Sequence, residues 1–296
     1  MTFDRMEECS QPLVSVPIIT YNSSKTVMDT LDSIANQTYQ NLELIVSDDC
    51  SSDNTVEICC EWIEAHKGRF ARTELLASEK NTGVSANLNR AERACKGEWV
   101  KPLAGDDLLL PECISSFVEY INEHQDAVYV FAKLLPFREI GGDIQIVEIP
   151  LKYDFFSWSI EEQYHYLVYV QNQVPAPAAF YNKLKAEALG VENDERIPMM
   201  EDWPKWINLL KKEVRFLFLD KELVMYRLSE DSISNTSNKS NAYHVSFALF
   251  YIYYQFKEFY RHGNKKDAIK RYVQAKRYVE NNLFWKGLNF MAKKIL

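Results

Sequence analysis

Continuous apolar runs alternate with amphipathic segments along the first third of the chain. The apolar runs begin near Val14 and read LVSVPIIT, LELIVSDD, TELLAS and EWVKPLAGDD. Between them lie SKTVMDTLDSIANQ, DNTVEICCEWIEAHK and GVSANLNRAERAC, whose apolar residues recur at helical spacing. Uninterrupted apolar strands separated by amphipathic helices are typical of βαβ units. The pattern predicts an α/β fold with a mostly parallel central sheet, in which Pro17 marks a local irregularity of the first strand.

The pattern becomes less regular after Leu110. It predicts a helix from Pro111 to about Glu123, a strand in AVYVFAKLL, and a hairpin that turns at Gly141-Gly142 before DIQIVEI. A second strand is predicted in VRFLFLDKELVMYRL, and helices follow the polar segment SEDSISNTSNKSN. This segment is the best candidate boundary, so we expect one domain over 1–235 and a helical extension over 236–296.

Charge and cysteine content narrow the possible functions. The formal net charge is −8, and nucleic-acid affinity depends on neutralising phosphates, so nucleic acid is not an expected partner. The six cysteines show no C-x-x-C spacing, as expected for reduced thiols in a cytosol. The first residues lack the apolar core of a signal peptide, and no stretch is long enough to span a membrane. We therefore expect a cytoplasmic protein.

Polar side chains follow three of the predicted strands. They are Thr20, Tyr21 and Asn22, then Asp48 and Asp49, then Asp106 and Asp107. In open parallel sheets, ligands bind beyond the carboxyl ends of the strands. The first strand leads into TYNSSKT, which is neither a Gly-rich nucleotide fingerprint nor a phosphate-binding loop. An aromatic ring can stack on a base and a carboxylate can accept a base N–H, but phosphates would then require a metal.

The segment LAGDDLL is the candidate metal site. Asp106 and Asp107 follow the small Gly105 at a strand end, and their oxygen ligands suit Mg²⁺ or Mn²⁺ bridged to a diphosphate. The alternative is an N-cap for the helix that follows. The five histidines show no paired ligand spacing, so zinc is not expected.

A second acidic pair stands in PMMEDWPKWINLL. Glu201 and Asp202 precede an amphipathic helix whose Trp203 and Trp206 have the spacing of core residues. Acidic residues in a first helical turn are favoured by the helix dipole, which is one explanation of the pair. The other is that Asp202 is a general base that takes the proton of an acceptor hydroxyl.

These segments resemble the family 2 glycosyltransferases. The resemblance is carried by VSVPIITYNSSKTVMDTLDSIANQTYQNLELIVSDDCSSDNT, KNTGVSANLNRA, LAGDDLL, GVENDERIPMMEDWPKW and YRLSEDSIS, in the family's order over roughly residues 12 to 235. It implies a GT-A fold, a nucleotide-sugar donor, a Mn²⁺ or Mg²⁺ cofactor and inversion at the anomeric carbon. UDP-sugars are the expected donors, and a saccharide or lipid-linked saccharide of surface-polysaccharide synthesis is the expected acceptor.

The resemblance also assigns roles to individual residues. It implies that Thr20, Tyr21 and Asn22 line the nucleoside pocket, that Asp48 bonds the base with Asp49 beside it, and that Asn81, Gly83 and Asn87 flank the donor sugar or ribose. It further implies that Asp106, with Asp107 next to it, binds the metal as the last aspartate of a D-x-D motif. Asp202 corresponds to the catalytic base, with Glu201 beside it.

Two departures from the family pattern leave a second function open. Ala104 replaces the first aspartate of D-x-D, and Ser229 stands where some members place a histidine. The alternative is a non-catalytic module that binds a nucleotide-sugar or a glycan. A sugar-1-phosphate nucleotidyltransferase is disfavoured because TYNSSKT is not a Gly-rich, basic triphosphate loop.

The carboxyl-terminal residues are basic in a chain that is acidic overall. From Lys257 onward there are eleven Lys and Arg against three Asp and Glu. With its aromatic residues, this tail can lie on an anionic membrane at the inner face of the plasma membrane. The alternative is a helical cap packed on the larger domain. The aromatic stretch from Tyr153 to Tyr181 is likewise either core or an acceptor platform.

Overall fold

A computed structural model of the chain describes residues 11–228 and 241–285. In these residues ten strands form one mixed sheet, and the α-helices pack against it. The strands are β1 (Val14–Thr20), β2 (Leu42–Asp48), β3 (Arg72–Ala77), β4 (Trp99–Val100), β5 (Leu103–Ala104), β6 (Leu108–Leu109), β7 (Tyr129–Ile140), β8 (Asp143–Ile146), β9 (Ala179–Asn182) and β10 (Phe216–Arg227).

The α-helices alternate with these strands and then form the carboxyl-terminal region. They are α1 (Val27–Ala35), α2 (Thr55–His66), α3 (Val84–Ala94), α4 (Cys113–Glu123), α5 (Ile160–Tyr169), α6 (Lys183–Ala188), α7 (Asp202–Lys211), α8 (Asn241–Phe250), α9 (Phe256–His262) and α10 (Lys265–Trp285). A π-helical turn, Tyr251–Gln255, joins α8 to α9. The predicted helix after Pro111 and the predicted hairpin are both present.

The sheet is parallel where the sequence pattern is regular. Its order is β3-β2-β1-β4-β9-β7-β10-β6, with β5 paired to β1 and β8 paired to β7. Strands β1 to β5 run parallel, whereas β9 pairs antiparallel with both β4 and β7. Strands β7 and β10 are again parallel to each other. The α/β prediction is confirmed, and the sheet changes direction only where the regular βαβ pattern ends.

Pro17 lies at the irregularity that the sequence predicts. Strand β1 pairs with β2 in unbroken register, but on its other edge it pairs first with β4 and then with β5. The break falls between Ser15 and Ile18, and Pro17 has no N–H to donate. Strand β5 pairs with the end of β1, and the Gly105 N–H donates to the Ile19 carbonyl at 2.9 Å, which places the turn with Asp106 at this end of β1.

Two buried apolar clusters hold the layers together. One contains Leu31 and Phe117, and the other contains Phe155, Trp206 and Phe216. Much of the aromatic stretch after Tyr153 belongs to the core, because Phe155, Phe156 and Tyr181 are buried.

The carboxyl-terminal helices pack on the rest of the protein. The Phe250 ring of α8 is fully buried and lies 4.5 Å from the Trp203 ring of α7. Burying one such side chain stabilises the contact by about 1.5–3 kcal/mol. The expected boundary between 235 and 236 lies outside the described residues. No helix within residues 11–228 or 241–285 is long and apolar enough to cross a membrane.

Candidate active site

The ends of β1 and β2 place Thr20 and Asp48 side by side. Their Cα atoms are register partners, and the Thr20 hydroxyl donates to Asp48 Oδ2 at 2.8 Å. The Ser51 amide N–H donates to Asp48 Oδ1 at 2.8 Å, and the Ser51 hydroxyl donates to Oδ2. Asp48 is only 1% exposed. Both oxygens of this buried carboxylate therefore have hydrogen-bond partners, as buried polar groups generally do.

Asp49 has a separate set of donors. Its carboxylate accepts the backbone N–H groups of Thr82 and Gly83 at 2.9 and 2.7 Å, and the Thr82 hydroxyl at 2.6 Å. Arg90 Nη2 lies 3.2 Å from Asp49 Oδ1. The adjacent aspartates are therefore compatible because each carboxylate has its own donors. Asp48 is bonded to the loop after β2, and Asp49 is bonded to the loop before α3.

The other predicted donor-side residues lie around these carboxylates. Asn22 has a φ of +53°, and its side-chain oxygen accepts the Ser52 N–H at 2.8 Å. The buried Asn87 donates to the Thr20 carbonyl at 3.3 Å, and Asn81 accepts the Gly83 N–H at 3.2 Å. Tyr21 is 52% exposed, so its ring is available to a ligand.

Two glycines allow the loops of the site to pack closely. Gly83 has a φ of +88°, and a Cβ atom there would lie 2.7 Å from both Cβ and the carbonyl oxygen of Pro198. Gly105 packs against Thr20, where a Cβ atom would lie 2.8 Å from the Thr20 methyl group. These contacts place the Asp106 turn against β1 and tie the start of α3 to the segment that leads into α7.

Asp106 and Asp107 have different surroundings. Asp106 is half-buried, and within the described residues its carboxylate accepts no hydrogen bond from another residue. Asp107 is 1% exposed, and its Oδ1 accepts the Arg227 backbone N–H at 3.0 Å. Burial raises the pKa of both carboxyl groups, and the charge of Asp106 raises the pKa of Asp107 further.

Arg227 holds this turn from the end of β10. Its Nε donates to the Asp106 carbonyl at 2.8 Å, and its Nη2 lies 3.1 Å from Asp29 Oδ2. Its Nη1 pairs with Glu139, and the guanidinium lies over the Phe137 ring. Arg227 is only 6% exposed. This network fixes the backbone of Asp106 while its carboxylate keeps its oxygens free.

The residues present suit a cation that is shared with a ligand. No group of three or more Asp, Glu, His or Cys side chains surrounds a possible metal position in the part of the chain that the structure describes. A single free carboxylate fits a hard cation that takes its remaining oxygens from water and substrate phosphates, as Mg²⁺ commonly does. Asp106 fits that role, because Asp107 is bonded to the backbone.

Asp202 is the first residue of α7, and both of its oxygens are fixed. Oδ1 accepts the Trp203 N–H and Oδ2 accepts the Asn172 side-chain N–H, each at 2.6 Å. Burial raises the pKa of Asp202, and these two hydrogen bonds oppose the increase. Asp202 stays partly exposed, so solvent can reach it.

Glu201 differs from its neighbour. Burial, followed by the charge of Asp202, raises the pKa of Glu201 to about 8, while Lys205 acts in the opposite direction. Lys205 is 5% exposed and pairs with Glu92 at 3.1 Å. A buried ion pair therefore lies within the electrostatic range of Glu201.

Three residues that organise the site were not predicted from the sequence: Arg90, Asn172 and Arg227. Each contacts a predicted site residue across a large separation along the chain. Arg90 and Arg227 lie within the segments KNTGVSANLNRA and YRLSEDSIS, which carry the family resemblance. Asn172 lies in an irregular loop that offers no such signal. The predicted roles of the site residues stay predictions, and Ser229 lies outside the described residues.

Known proteins resemble the chain over most of its length. It is 27% identical to the glycosyltransferase EpsE of Bacillus subtilis over 225 residues, which cover 75% of each chain. It is 26% identical to TuaG, a teichuronic acid biosynthesis glycosyltransferase of the same organism, over 78% of this chain and 84% of TuaG.

Solved structures share the fold. S. aureus TarS (residues 1–349) in complex with UDP-GlcNAc aligns with a TM-score of 0.62 and 19% identity, over 90% of this chain and 72% of that one. The mannosyltransferase PcManGT of Pyrobaculum calidifontis, in complex with GDP-Man and Mn²⁺, aligns with a TM-score of 0.57 and 18% identity, over 91% of this chain and 70% of that one.

A family model matches the half of the chain that contains the strand-end residues. Residues 15–168 match the model of glycosyl transferase family 2, and this range includes all of β1 but its first residue, together with β2 and the turn with Asp106. The resemblance seen in the sequence is thereby confirmed, and so is the GT-A fold that it implies. The chain belongs to glycosyl transferase family 2.

Proposed function

We propose that the chain is a metal-dependent, inverting glycosyltransferase that moves a sugar from a UDP-sugar to a saccharide or lipid-linked saccharide in surface-polysaccharide synthesis. The observation that carries this proposal is the carboxylate of Asp202, which is fixed by two hydrogen bonds and still partly exposed. The TuaG resemblance supports the choice of acceptor class, and the TarS complex supports the choice of UDP-sugar.

The chemistry at Asp202 is a single displacement. Its carboxylate accepts the proton of the acceptor hydroxyl while the acceptor oxygen forms a bond to the anomeric carbon. The bond from that carbon to the diphosphate oxygen breaks, and its electron pair leaves with UDP. Attack opposite the leaving group inverts the anomeric centre. Burial strengthens Asp202 as a base because it raises its pKa.

The donor side of the site comprises Thr20, Tyr21, Asp48, Asp49 and Asp106. The exposed ring of Tyr21 stacks on the base, and the Asp48 carboxylate lies at the strand end where a base N–H can be accepted. Asp106 would hold the divalent cation, and that cation supplies positive charge to the departing diphosphate when it is bound. Asp107 positions the Asp106 turn through the Arg227 backbone N–H.

The base is tested with Asp202→Asn, and Asp154→Asn serves as a control that removes an exposed carboxylate. UDP-sugars are first screened by thermal shift with and without Mn²⁺, starting with UDP-GlcNAc, because binding to the native state raises the melting temperature. UDP release with water as acceptor is then measured. We expect Asp202→Asn to bind the donor normally and to lose about 10²–10⁴-fold in kcat.

Three results would contradict the proposal. Full activity of Asp202→Asn would show that Asp202 is not the base. A donor-induced rise in melting temperature that is the same with and without Mn²⁺ would show that donor binding does not need the metal. Donor binding by the wild-type chain without UDP release, in water or with saccharide acceptors, would favour a non-catalytic nucleotide-sugar module.

We further propose that the tail attaches the enzyme to the inner face of the plasma membrane. On α10 the inner face carries the buried Ala268 and Val279, which anchor the helix to the body. The opposite face carries cations and exposed aliphatic side chains: Lys266, Ile269, Lys270, Val273 and Arg277. The tail is thus both a packed helical cap and a basic surface, whose charge complements anionic lipid.

Sedimentation with phosphatidylglycerol vesicles tests this attachment. Each Lys or Arg near the surface contributes about 1 kcal/mol, screened over a Debye length of roughly 8 Å at physiological salt. We expect binding at low salt, release at high salt, and loss of binding when Lys266, Lys270 and Arg277 are all changed to Gln. The control changes the exposed Lys80, Lys96 and Lys212 to Gln. If both variants lose vesicle binding equally, the binding depends on net charge and not on the basic face of α10.

A further inference from the structure

We propose that Asn172 is a positioning residue that fixes the orientation of the Asp202 carboxylate for proton abstraction. This inference rests on the proposed role of Asp202 as the base. Asn172 lies in the loop between α5 and β9, and its side-chain nitrogen Nδ2 donates to Asp202 Oδ2 at 2.6 Å.

The orientation of the Asn172 amide follows from its own loop. The Val174 backbone N–H lies 3.0 Å from Asn172 Oδ1, and an N–H group requires an acceptor. The oxygen therefore faces Val174, so that the NH₂ group faces Asp202. This local turn makes Asn172 a donor toward the base before any substrate arrives.

Both ends of the loop are anchored. Trp203 Nε1 donates to the Leu167 carbonyl at 2.7 Å, so the residue after the base holds the end of α5. At the other end, the buried Lys101 donates to the Pro177 carbonyl. Between them, Gln173 accepts the Lys152 N–H at 3.1 Å. The loop cannot easily move Asn172 away from Asp202.

The two hydrogen bonds on Asp202 act differently. The Trp203 N–H bond is local to the helix start and fixes one oxygen, Oδ1. The Asn172 bond comes from a separate element and fixes the second oxygen. Both bonds favour the ionised form, which is the form that accepts a proton.

The charged groups around the base are few. They are Glu201, which directly precedes α7 and whose pKa is raised by burial and then by the charge of Asp202, and Lys205 on α7; from α3, Glu92 pairs with Lys205. The loop of Asn172 brings no charged side chain into hydrogen-bond contact with Asp202 within the described residues. A change at Asn172 therefore alters the hydrogen bonding of the base without removing a charge.

Asn172→Ser removes the hydrogen bond to Asp202 but keeps the hydrogen bond from the Val174 N–H that forms the loop turn. The serine hydroxyl can still accept the Val174 N–H but is too short to reach Asp202. Losing one hydrogen bond donated to a carboxylate raises the pKa of that carboxyl group by roughly one unit. We expect the acid limb of the kcat/KM profile for UDP release to move up by about one pH unit, with the donor melting shift unchanged.

Asn172→Asp is the stronger variant. It keeps the shape of the side chain but faces Asp202 with a second carboxyl group, and two such groups cannot both ionise freely at hydrogen-bond distance. The acid limb should move further than in Asn172→Ser. Gln171→Ala is the matched control, because Gln171 is in the same loop but bonds to Tyr166. Its profile should match that of the wild type.

The outcomes separate this inference from the proposed function. If Asp202→Asn is inactive while Asn172→Ser and Asn172→Asp keep the wild-type acid limb, Asn172 is structural and the inference is wrong. A loss of rate that is equal at every pH and follows a lower melting temperature also overturns it. If Asp202→Asn keeps its activity, the proposed base is wrong, whatever the Asn172 variants do.

Discussion

The proposed donor side and the proposed base side of the site are held in place in different ways. On the donor side, Asp48 and Asp49 are buried and bonded by backbone and hydroxyl donors from the first ninety residues. On the base side, Asp202 is partly exposed and is fixed by its own helix and by one amide from a loop. The carboxylates of Asp48 and Asp49 hold loops together, whereas Asp202 accepts hydrogen bonds only from Trp203 and Asn172 among the described residues.

Asn substitutions at the two sides give the largest expected contrast. Asp49→Asn replaces an oxygen that accepts buried donors, and breaking a buried charged contact costs about 3–5 kcal/mol. Asp202→Asn removes a charge that burial disfavours, so the free energy of unfolding should change by less than about 1 kcal/mol. Urea denaturation measures both. If Asp49→Asn is as stable as Asp202→Asn, the two sides do not differ in how much their carboxylates contribute to stability.

Gly83 and Pro198 form a contact between the two sides, and a substitution at Gly83 can break it. In Gly83→Ala the new methyl group would meet Pro198 at 2.7 Å, and the φ of +88° is strained for alanine. We expect a loss of about 2–3 kcal/mol in unfolding free energy. Gly141→Ala is the control, because its φ of +63° is also positive but no atom lies within 4 Å of the added Cβ. The control should lose about 1–2 kcal/mol. Equal losses would mean that the Pro198 contact is unimportant.

The pH dependence of stability should have opposite signs on the two sides. The pKa of Glu201 is raised to about 8, so ionisation opposes folding and unfolding free energy should fall as pH rises from about 4.5 to 8. The pKa of Asp53, in the loop after β2, is lowered to about 2 because burial is outweighed by hydrogen bonds from Thr55 and Ser24. That contribution is present above about pH 3.8 and is lost as pH falls through 2.

Glu201→Gln should therefore reduce the fall in unfolding free energy between about pH 4.5 and 8. Asp53→Asn should reduce the fall that occurs as pH drops from about 3.8 to 2. Thermal unfolding across the two pH ranges measures both slopes. If the pH dependence of stability between about 4.5 and 8 is unchanged in Glu201→Gln, another group is responsible for it.

The donor side was predictable because its signals are local. A buried strand followed by polar residues predicts a ligand edge, and Thr20, Asp48 and Asp106 all lie there. Arg227 and Asn172 were missed because their partners are distant in sequence: Arg227 bonds to the Asp106 carbonyl, and Asn172 bonds to Asp202. No periodicity relates such pairs. The direction of β9 was unpredictable for the same reason, since its pairing depends on β4 and β7.

The bond from the Arg227 backbone to Asp107 has a consequence for synthesis of the protein. The chain leaves the ribosome from its amino end, and strands β1, β2, β3 and β5 pair with one another within the first 104 residues. Asp107 receives its backbone partner only when residue 227 has emerged. A nascent chain can therefore bring Thr20 and Asp48 together early, but it completes the turn that carries Asp106 only after Asp202 has been made.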